Sequence, residues 1–284
     1  MNDTLYLDCF AGISGDMTVG ALLDCGVSVE ILQEKLAAIE LTGYRISAVR
    51  DQAASLAATS FKVEDAEEQP ARHWSDIKQL LTGSRLNDPV KEMAIAIFST
   101  LAKAEAKIHN CPVEQVHFHE VGAVDSIIDI VAFAICYEEL GIKRVVASPQ
   151  PMPGGTVSCA HGLLPLPAPA VCEILKEVPV YGVDLKQELV TPTGAAIIKT
   201  VAESFGPFPS MTFARVGYGR GSRELADGRP NLLRAVLGRL NKVEEAQEIE
   251  VIDCNLDDWS PEGFPLLAEK LFALGALDVA LAPI

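Results

Sequence analysis

The alternation of short apolar strand segments with helical segments is the sequence feature that most constrains the fold of this chain. Residues 5–9 have the composition of a buried strand, and a glycine-containing turn leads from them into a helix at about residues 17–25. The same order of strand and helix returns along the chain, which is typical of α/β and α+β proteins. We therefore expect an α/β (α+β) fold in which the main domain contains a mixed sheet.

The other predicted elements follow from hydrophobic periodicity and from turn residues. Helices are predicted at about residues 29–39, 74–81, 89–108, 124–140, 168–176 and 192–204, and strands at about residues 44–49, 60–63, 144–147, 212–217, 232–237 and 248–254. Residues 148–170 are crowded with prolines and glycines. A loop of that length in a compact domain is usually functional, so we interpret this segment as a functional loop.

The length of the chain predicts more than one domain. At 284 residues it exceeds a typical single domain. We expect a main domain at residues 1–240, a polar linker at residues 241–247, and the incomplete start of a second α+β domain at residues 248–284. A strand–helix–strand piece of that size cannot easily bury its own core, so it is expected to need a C-terminal half.

Charge and cysteine content exclude several classes of function. The formal net charge is −16 at pH 7, which argues against binding nucleic acid or an anionic membrane surface. The sequence has no apolar run long enough to cross a bilayer, and its first residues lack the pattern of a signal peptide. Seven scattered cysteines without a CxxC pair predict a cytoplasmic protein rather than a disulfide scaffold or a zinc knuckle.

A candidate metal site lies in the segment from Val116 to Asp125. His117 and His119 are two residues apart, so in an extended backbone both imidazoles point to the same face. Glu120 adds a carboxylate, and Asp125 and Asp129 share one face of the next predicted helix. Such ligands suit zinc, nickel, iron or manganese. The alternative is that one histidine is packed or caps a turn and that Asp125 is only a helix N-cap.

Gly12, Ser14 and Gly15 stand where the first strand turns into a helix. Free backbone N–H groups at a helix start bind anions, although the lysine of a P-loop is absent. Asp16 would repel an unaccompanied phosphate, so we infer that a metal bridges Asp16 or Asp8 to the ligand. A tight turn in which Asp16 caps the helix is the equally acceptable structural reading.

Two later segments are further candidates for anion binding. Thr191 and Thr193 surround a proline suited to the first turn of a helix, and capping alone would also explain Thr191. Gly219 lies among alternating glycines that allow close approach of a ligand, and Arg220 supplies positive charge in an acidic chain. The alternative for this second segment is a flexible turn with solvated arginines.

Long irregular motifs carry a resemblance to a known family. They are YLDCFAGISGDM at residues 6–17, the stretch at residues 117–129, AHGLLPLPAPA at residues 160–170, ELVTPTGAA at residues 188–196, GYG at residues 217–219, NLDD at residues 255–258 and GALDV at residues 275–279. In this order they resemble the signatures of the LarC family of nickel-insertion proteins. The resemblance covers nearly the whole chain.

The resemblance implies a function that spacing could not supply. Members of that family insert nickel into pyridinium-3,5-bisthiocarboxylic acid mononucleotide, which gives the nickel pincer cofactor of lactate racemase and related enzymes. The family reaction, that of a nickel chelatase or cyclometallase in the lyase class, consumes CTP with a divalent cation such as Mg²⁺ or Mn²⁺. The resemblance also implies that CTP binds mainly in the C-terminal part and that a lactate racemase-type apoenzyme receives the cofactor. Apolar residues left uncovered in the incomplete C-terminal piece favour self-association, so we expect a homo-oligomer.

Roles for individual residues follow from this chemistry. Metallation of the ring releases a proton, which a carboxylate such as Asp125 or an imidazole such as His161, in the predicted functional loop, could accept. His117, His119, Glu120 and Asp16 are the predicted metal ligands. A metal-dependent phosphohydrolase and a non-enzymatic nickel carrier are the alternatives that the same residues allow.

Overall fold

The computed structural model describes residues 2–53, 55–65, 72–118, 124–159, 162–241 and 250–281. The chain divides into two compact units, Met1–Asn241 and Lys242–Ile284. In these described ranges no helix is long and apolar enough to cross a membrane.

The first unit contains strands and helices in alternation. Its strands are β1 (Thr4–Asp8), β2 (Tyr44–Ala53), β3 (Leu56–Asp65), β4 (Arg72–His73), β5 (His117–Phe118), β6 (Arg144–Ala147), β7 (Gln150–Pro153), β8 (Thr156–Cys159), β9 (Gly162–Pro165), β10 (Val180–Val183), β11 (Ser204–Phe205), β12 (Met211–Arg220) and β13 (Leu232–Leu240). Its α-helices are α1 (Gly15–Asp24), α2 (Val29–Leu36), α3 (Trp74–Gly83), α4 (Asp88–His109), α5 (Val124–Glu139), α6 (Pro169–Ile174) and α7 (Pro192–Val201).

A seven-stranded mixed sheet with the order β11-β6-β1-β13-β12-β3-β2 organises this unit. β1 runs parallel to β6 and antiparallel to β13, while β12 is antiparallel to β13 and parallel to β3. β2 and β3 form an antiparallel hairpin at one edge. The predicted α/β class with a mixed sheet is confirmed.

Helices α1 and α5 build the core beside this sheet. α1 contacts β12 and β3, and α5 contacts α1, α4 and β3. Most side chains of α5 are buried, including Ile127, Ile128, Val131 and Phe133. A helix that is apolar on nearly every side must be covered on nearly every side, which explains its central position.

The turn between β1 and α1 is hydrogen-bonded to the residues that lead into α7. Gly12 has φ = +98°, and a Cβ atom there would collide with the Leu189 carbonyl, so the position requires glycine. Ile13 forms a parallel bridge with Val190, and its N–H donates to the Leu189 carbonyl at 2.9 Å. The starts of two helices are therefore side by side, although they are far apart in the sequence.

Residues 148–170 contain strands where the sequence predicted a loop. β8 and β9 form an antiparallel hairpin in which Val157 is opposite Leu164, and β7 pairs in parallel with β10. The strands are four residues each, too short for a periodic signal among prolines and glycines. The predicted functional loop therefore contains short paired strands that the sequence did not predict.

The second unit is small. It contains a 3₁₀ turn at Pro261–Gly263 and α8 (Phe264–Ala273). The strands predicted around residues 248–258 are not formed in the part that is described, residues 250–258. A strand requires a pairing partner, and local composition does not supply one.

Candidate functional site

A cavity of about 780 Å³ lies within the first unit; we call it the central cavity. The polar or charged residues around it include Ser14, Asp16, Lys62, Glu64, Glu105, His109, Asp125, Ser126, Asp129, Glu188, Thr191, Thr193 and Arg223. Phe61 and Phe118 contribute apolar surface. A cavity of this volume with a few converging polar groups is typical of a small-molecule site.

The first turns of α1, α5 and α7 all reach the central cavity. Gly194 allows α7 to approach α1, because a Cβ atom there would collide with the Ile13 carbonyl. Thr191 caps α7 by accepting a hydrogen bond from the Gly194 N–H at 3.1 Å, whereas the Ser14 side chain caps no N–H of α1. Helix N-termini carry partial positive charge and unsatisfied N–H groups, so this wall favours an anion.

Three carboxyl groups occupy the same wall. Burial raises the pKa of Asp129 well above its ordinary value of 3.8, and repulsion from Asp16 and Asp125 adds to the rise. Burial also raises the pKa of Asp16, and Asp125 adds to the rise, while hydrogen bonds from the Ser14 hydroxyl and the Met17 N–H oppose it. Carboxyl groups in such surroundings retain a proton or bind a cation.

Gly15 explains how Asp129 fits there. A Cβ atom at Gly15 would collide with the Asp129 carboxylate. Of the predicted anion-binding residues, Ser14 and Gly15 line the cavity, whereas Gly12 is not among the lining residues; both glycines also have a packing role. Thr191 and Thr193 line the cavity as well.

The predicted metal ligands are placed in different surroundings. Asp16 lines the central cavity. His117 pairs with His73 across β5 and β4, and their imidazole rings meet edge to face with centroids 4.8 Å apart. Its neighbour Phe118 contributes to the cavity wall. Among the residues that the structure describes, no group of three or more His, Cys, Asp or Glu side chains is arranged to hold a metal ion.

Some predicted site residues cannot be placed, and others lie away from the cavity. His119, Glu120 and His161 fall outside the described residues. Gly219 faces α1, where a Cβ atom would collide with the Met17 carbonyl. Arg220 forms an ion pair with Asp51. Neither Gly219 nor Arg220 is among the described residues that line the cavity.

The structure adds Glu105 and His109, which the sequence did not single out, and it places Arg223, the second arginine of the glycine-rich segment, at the cavity. Nε2 of His109 lies 3.3 Å from Oε2 of Glu105, and both side chains line the central cavity. The guanidinium of Arg223 lies 3.7 Å from the Glu188 carboxylate at the same cavity. The spacing of Glu105 and His109, four residues apart near the end of a predicted helix, was the available signal.

Comparison with known proteins identifies one family and several of its members as related to this chain. Residues 5–284 match the model of a family described as "Nickel insertion protein". A relative from Desulfotalea psychrophila is 51% identical over 284 residues, which are 100% of this chain and 73% of the relative. One from Syntrophobacter fumaroxidans is 49% identical over 280 residues, 99% of this chain and 72% of the relative. Both carry the words "nickel insertion protein" in their names.

A third relative has a more specific name. It comes from Geobacillus kaustophilus, is 44% identical over 299 aligned residues, and is named pyridinium-3,5-bisthiocarboxylic acid mononucleotide nickel insertion protein. The alignment covers 99% of this chain and 72% of the relative. No solved structure matches the chain.

Proposed function

Because this chain belongs to the nickel insertion protein family, we propose that it inserts nickel into pyridinium-3,5-bisthiocarboxylic acid mononucleotide. The observation that carries the proposal is the relative from Geobacillus kaustophilus, which is named for that substrate and aligns with 99% of this chain. The product would be the nickel pincer cofactor of lactate racemase-type enzymes.

The central cavity has the chemistry that this substrate needs. The phosphate of the mononucleotide is an anion, and the first turns of α1 and α7 offer backbone N–H groups with partial positive charge. We assign phosphate binding to Gly12, Ser14, Gly15, Thr191 and Thr193. Gly219 and Arg220 stay in the proposal as predicted contacts for a more distant part of the ligand.

The three carboxyl groups suit the positive charges of the substrates. Asp16, Asp125 and Asp129 lie on one wall, and a pyridinium ring and a nickel ion are both cations. Binding of a cation would compensate the burial and mutual repulsion that raise the pKa values of Asp16 and Asp129. This match supports the cavity as the place where the nickel and the ring meet.

Nickel is proposed to bind at His117, His119 and Glu120, with Asp16 as the carboxylate ligand on the cavity side. β5 supports this arrangement, because Phe118 borders the cavity and His117 is its neighbour. Replacing both His117 and His119 with alanine should remove the tightest nickel site in calorimetry and leave the fold intact. Unchanged nickel affinity would contradict the assignment.

Asp125 is proposed to assist transfer of the ring proton, and His161 is proposed either to complete the nickel coordination or to act as a base on the ring. Asp125 borders the central cavity, and in the sequence His161 lies between β8 and β9, whose residues Val157 and Leu164 line it. An experimental structure with His161 more than about 12 Å from the nickel site, beyond a water-bridged contact, would exclude this role.

The finer features of the reaction come from the family resemblance. We propose that it is a cytoplasmic cyclometallation of the lyase class, that it consumes CTP with Mg²⁺ or Mn²⁺, and that a C-terminal half supplies most of the CTP site. A lactate racemase-type apoenzyme would receive the product, and the protein would act as a homo-oligomer.

The decisive experiment combines the purified chain with nickel and the bisthiocarboxylate mononucleotide, with and without CTP, Mg²⁺ and a C-terminal half. Mass spectrometry should detect a product that has gained one nickel and lost protons. Release of phosphate without metal transfer would favour a metal-dependent phosphohydrolase. Tight nickel binding with no product under any of these conditions would favour a nickel carrier.

A further inference from the structure

The central cavity contains a carboxylate–imidazole pair whose role the family comparison does not supply. Glu105 and His109 are four residues apart on the last turns of α4, so their side chains share one face of that helix. His109 Nε2 lies 3.3 Å from Glu105 Oε2. Within the described ranges, His109 is the one histidine that lines the cavity.

Nickel insertion into this substrate requires a base. A nickel–carbon bond forms with the electron pair that held the ring hydrogen, so the C–H bond breaks and the proton must pass to an acceptor. Because a proton leaves and the electron pair stays with carbon, this step needs no external oxidant or reductant. An imidazole is a suited acceptor near neutral pH, and general bases typically contribute factors of about 10²–10⁴ in rate.

The geometry of the pair matches this task. The Glu105 carboxylate lies 3.3 Å from His109 Nε2, close enough to act on the orientation of the ring. The carboxylate holds the ring in one orientation and stabilises the imidazolium that forms. His109 is also the last residue of α4, and the partial negative charge of a helix C-terminus stabilises a nearby cation.

The other ionisable groups at the cavity lie on elements other than α4. Asp16, Asp125 and Asp129 stand at the starts of α1 and α5, Lys62 and Glu64 come from β3, and Glu188 and Arg223 face each other. The imidazole lies on α4, so the acceptor and the carboxyl wall come from separate elements.

We infer that His109, in preference to Asp125 or His161, is the catalytic base that takes the proton from the ring carbon between the two thiocarboxylate groups, and that Glu105 is its positioning residue. This inference rests on the proposed function, because the proton exists only if the mononucleotide is the substrate.

The first test compares His109→Gln and His109→Ala with the unchanged chain in the nickel-insertion assay, supplied with CTP, Mg²⁺ and a C-terminal half. His109→Gln should lower the rate about 100-fold or more. Added imidazole should restore a measurable part of the activity of His109→Ala, which a misfolded protein would not allow. Deuterium at the reacting ring carbon should slow the glutamine variant more than the unchanged chain, because proton removal becomes rate-limiting.

The test of Glu105 is a loss of kcat without a change in KM, which structural damage would not produce. Glu105→Gln should lower kcat about 10-fold with little change in KM, and Glu105→Asp should recover part of the loss. The matched control is Lys103→Gln on the exposed side of α4, which should retain the full rate. A rate for His109→Gln within twofold of the unchanged chain, or no rescue by imidazole, would overturn the inference.

A second measurement needs no turnover. Two-dimensional ¹⁵N NMR of the histidine rings, with His109 assigned from the glutamine variant, should show the His109 signals moving when the mononucleotide is added without nickel. Unmoved His109 signals at saturating substrate would overturn the inference even if the chain forms no product. Absence of any substrate binding or product would instead count against the proposed function.

Discussion

Two glycine-containing segments of similar appearance have different surroundings in this protein. Residues 12–15 turn β1 into α1 at the central cavity, whereas residues 217–219 lie within β12 against the back of α1. At Gly15 the group that would collide with a Cβ atom is the Asp129 carboxylate, and at Gly219 it is the Met17 carbonyl. One segment therefore allows a side chain that lines the cavity to approach, and the other allows a helix to pack on a strand.

A glycine pattern therefore indicates that another group approaches the backbone closely, but it does not show which group that is. Gly217 repeats the packing role, because a Cβ atom there would collide with the Ala21 carbonyl. Mutations that add a single methyl group can separate the two roles, since one should affect stability most and the other ligand binding.

The largest loss of stability is expected for Gly219→Ala. The new methyl group would overlap the backbone of α1, which cannot move without shifting the helix. We expect the free energy of unfolding to fall by about 3 kcal/mol, measured by urea denaturation. The control is Gly83→Ala, where no atom lies within 4 Å of the added Cβ; its change should stay within about 1 kcal/mol. Equal effects of the two substitutions would refute the packing role.

Gly15→Ala should have a smaller effect on stability and a clear effect on binding. The obstructing atoms belong to the Asp129 side chain: the carboxylate can rotate away, but Cβ, 2.8 Å from the added atom, cannot, so a small shift of α5 is also needed. We expect the free energy of unfolding to fall by about 2 kcal/mol. Affinity for the bisthiocarboxylate mononucleotide should fall about 10-fold, measured by calorimetry. If Gly15→Ala destabilises the chain as much as Gly219→Ala and leaves affinity unchanged, the distinction between the segments is wrong.

Asp129→Asn should change how stability depends on pH. Burial raises the pKa of Asp129 in the folded chain, so between its unfolded and folded pKa values the folded state binds more protons than the unfolded state. The unchanged chain therefore loses stability as pH rises through that window. The asparagine variant lacks this loss and should be the more stable of the two at pH 7.

Urea denaturation at several pH values from about 4 to 8 tests this expectation, with Asp88→Asn on the surface as a control. Asp88 has an exposed side chain. Parallel stability curves for the unchanged chain and Asp129→Asn would mean that Asp129 is not held in the surroundings described for the cavity wall.

The smallest effect is expected for Thr191→Ala. Its hydroxyl oxygen accepts a hydrogen bond from the Gly194 N–H, and loss of an N-cap costs about 1 kcal/mol. Thr191→Ser should keep both the cap and the affinity for the mononucleotide. A loss of affinity for Thr191→Ala without any loss of stability would show that Thr191 serves the ligand and not the helix.

Much of the fold could be predicted from local pattern. Helix α5 is bounded within a residue of its prediction, because an apolar run that Gly141 follows has few alternatives. Strand β6 has the predicted bounds. The family motifs were equally local, and the family that they indicate is confirmed.

Local pattern was thus enough to predict the alternation of strands and helices, the buried character of α5 and the family. Only the tertiary structure decided that Ile13 meets Val190, that Asp129 lies over Gly15, and that Glu105 and His109 face the cavity. The physical reason is that periodicity shows which face of an element is apolar but not which element covers it. Contacts between residues far apart in the chain depend on packing the whole core at once, and the candidate site is made of such contacts.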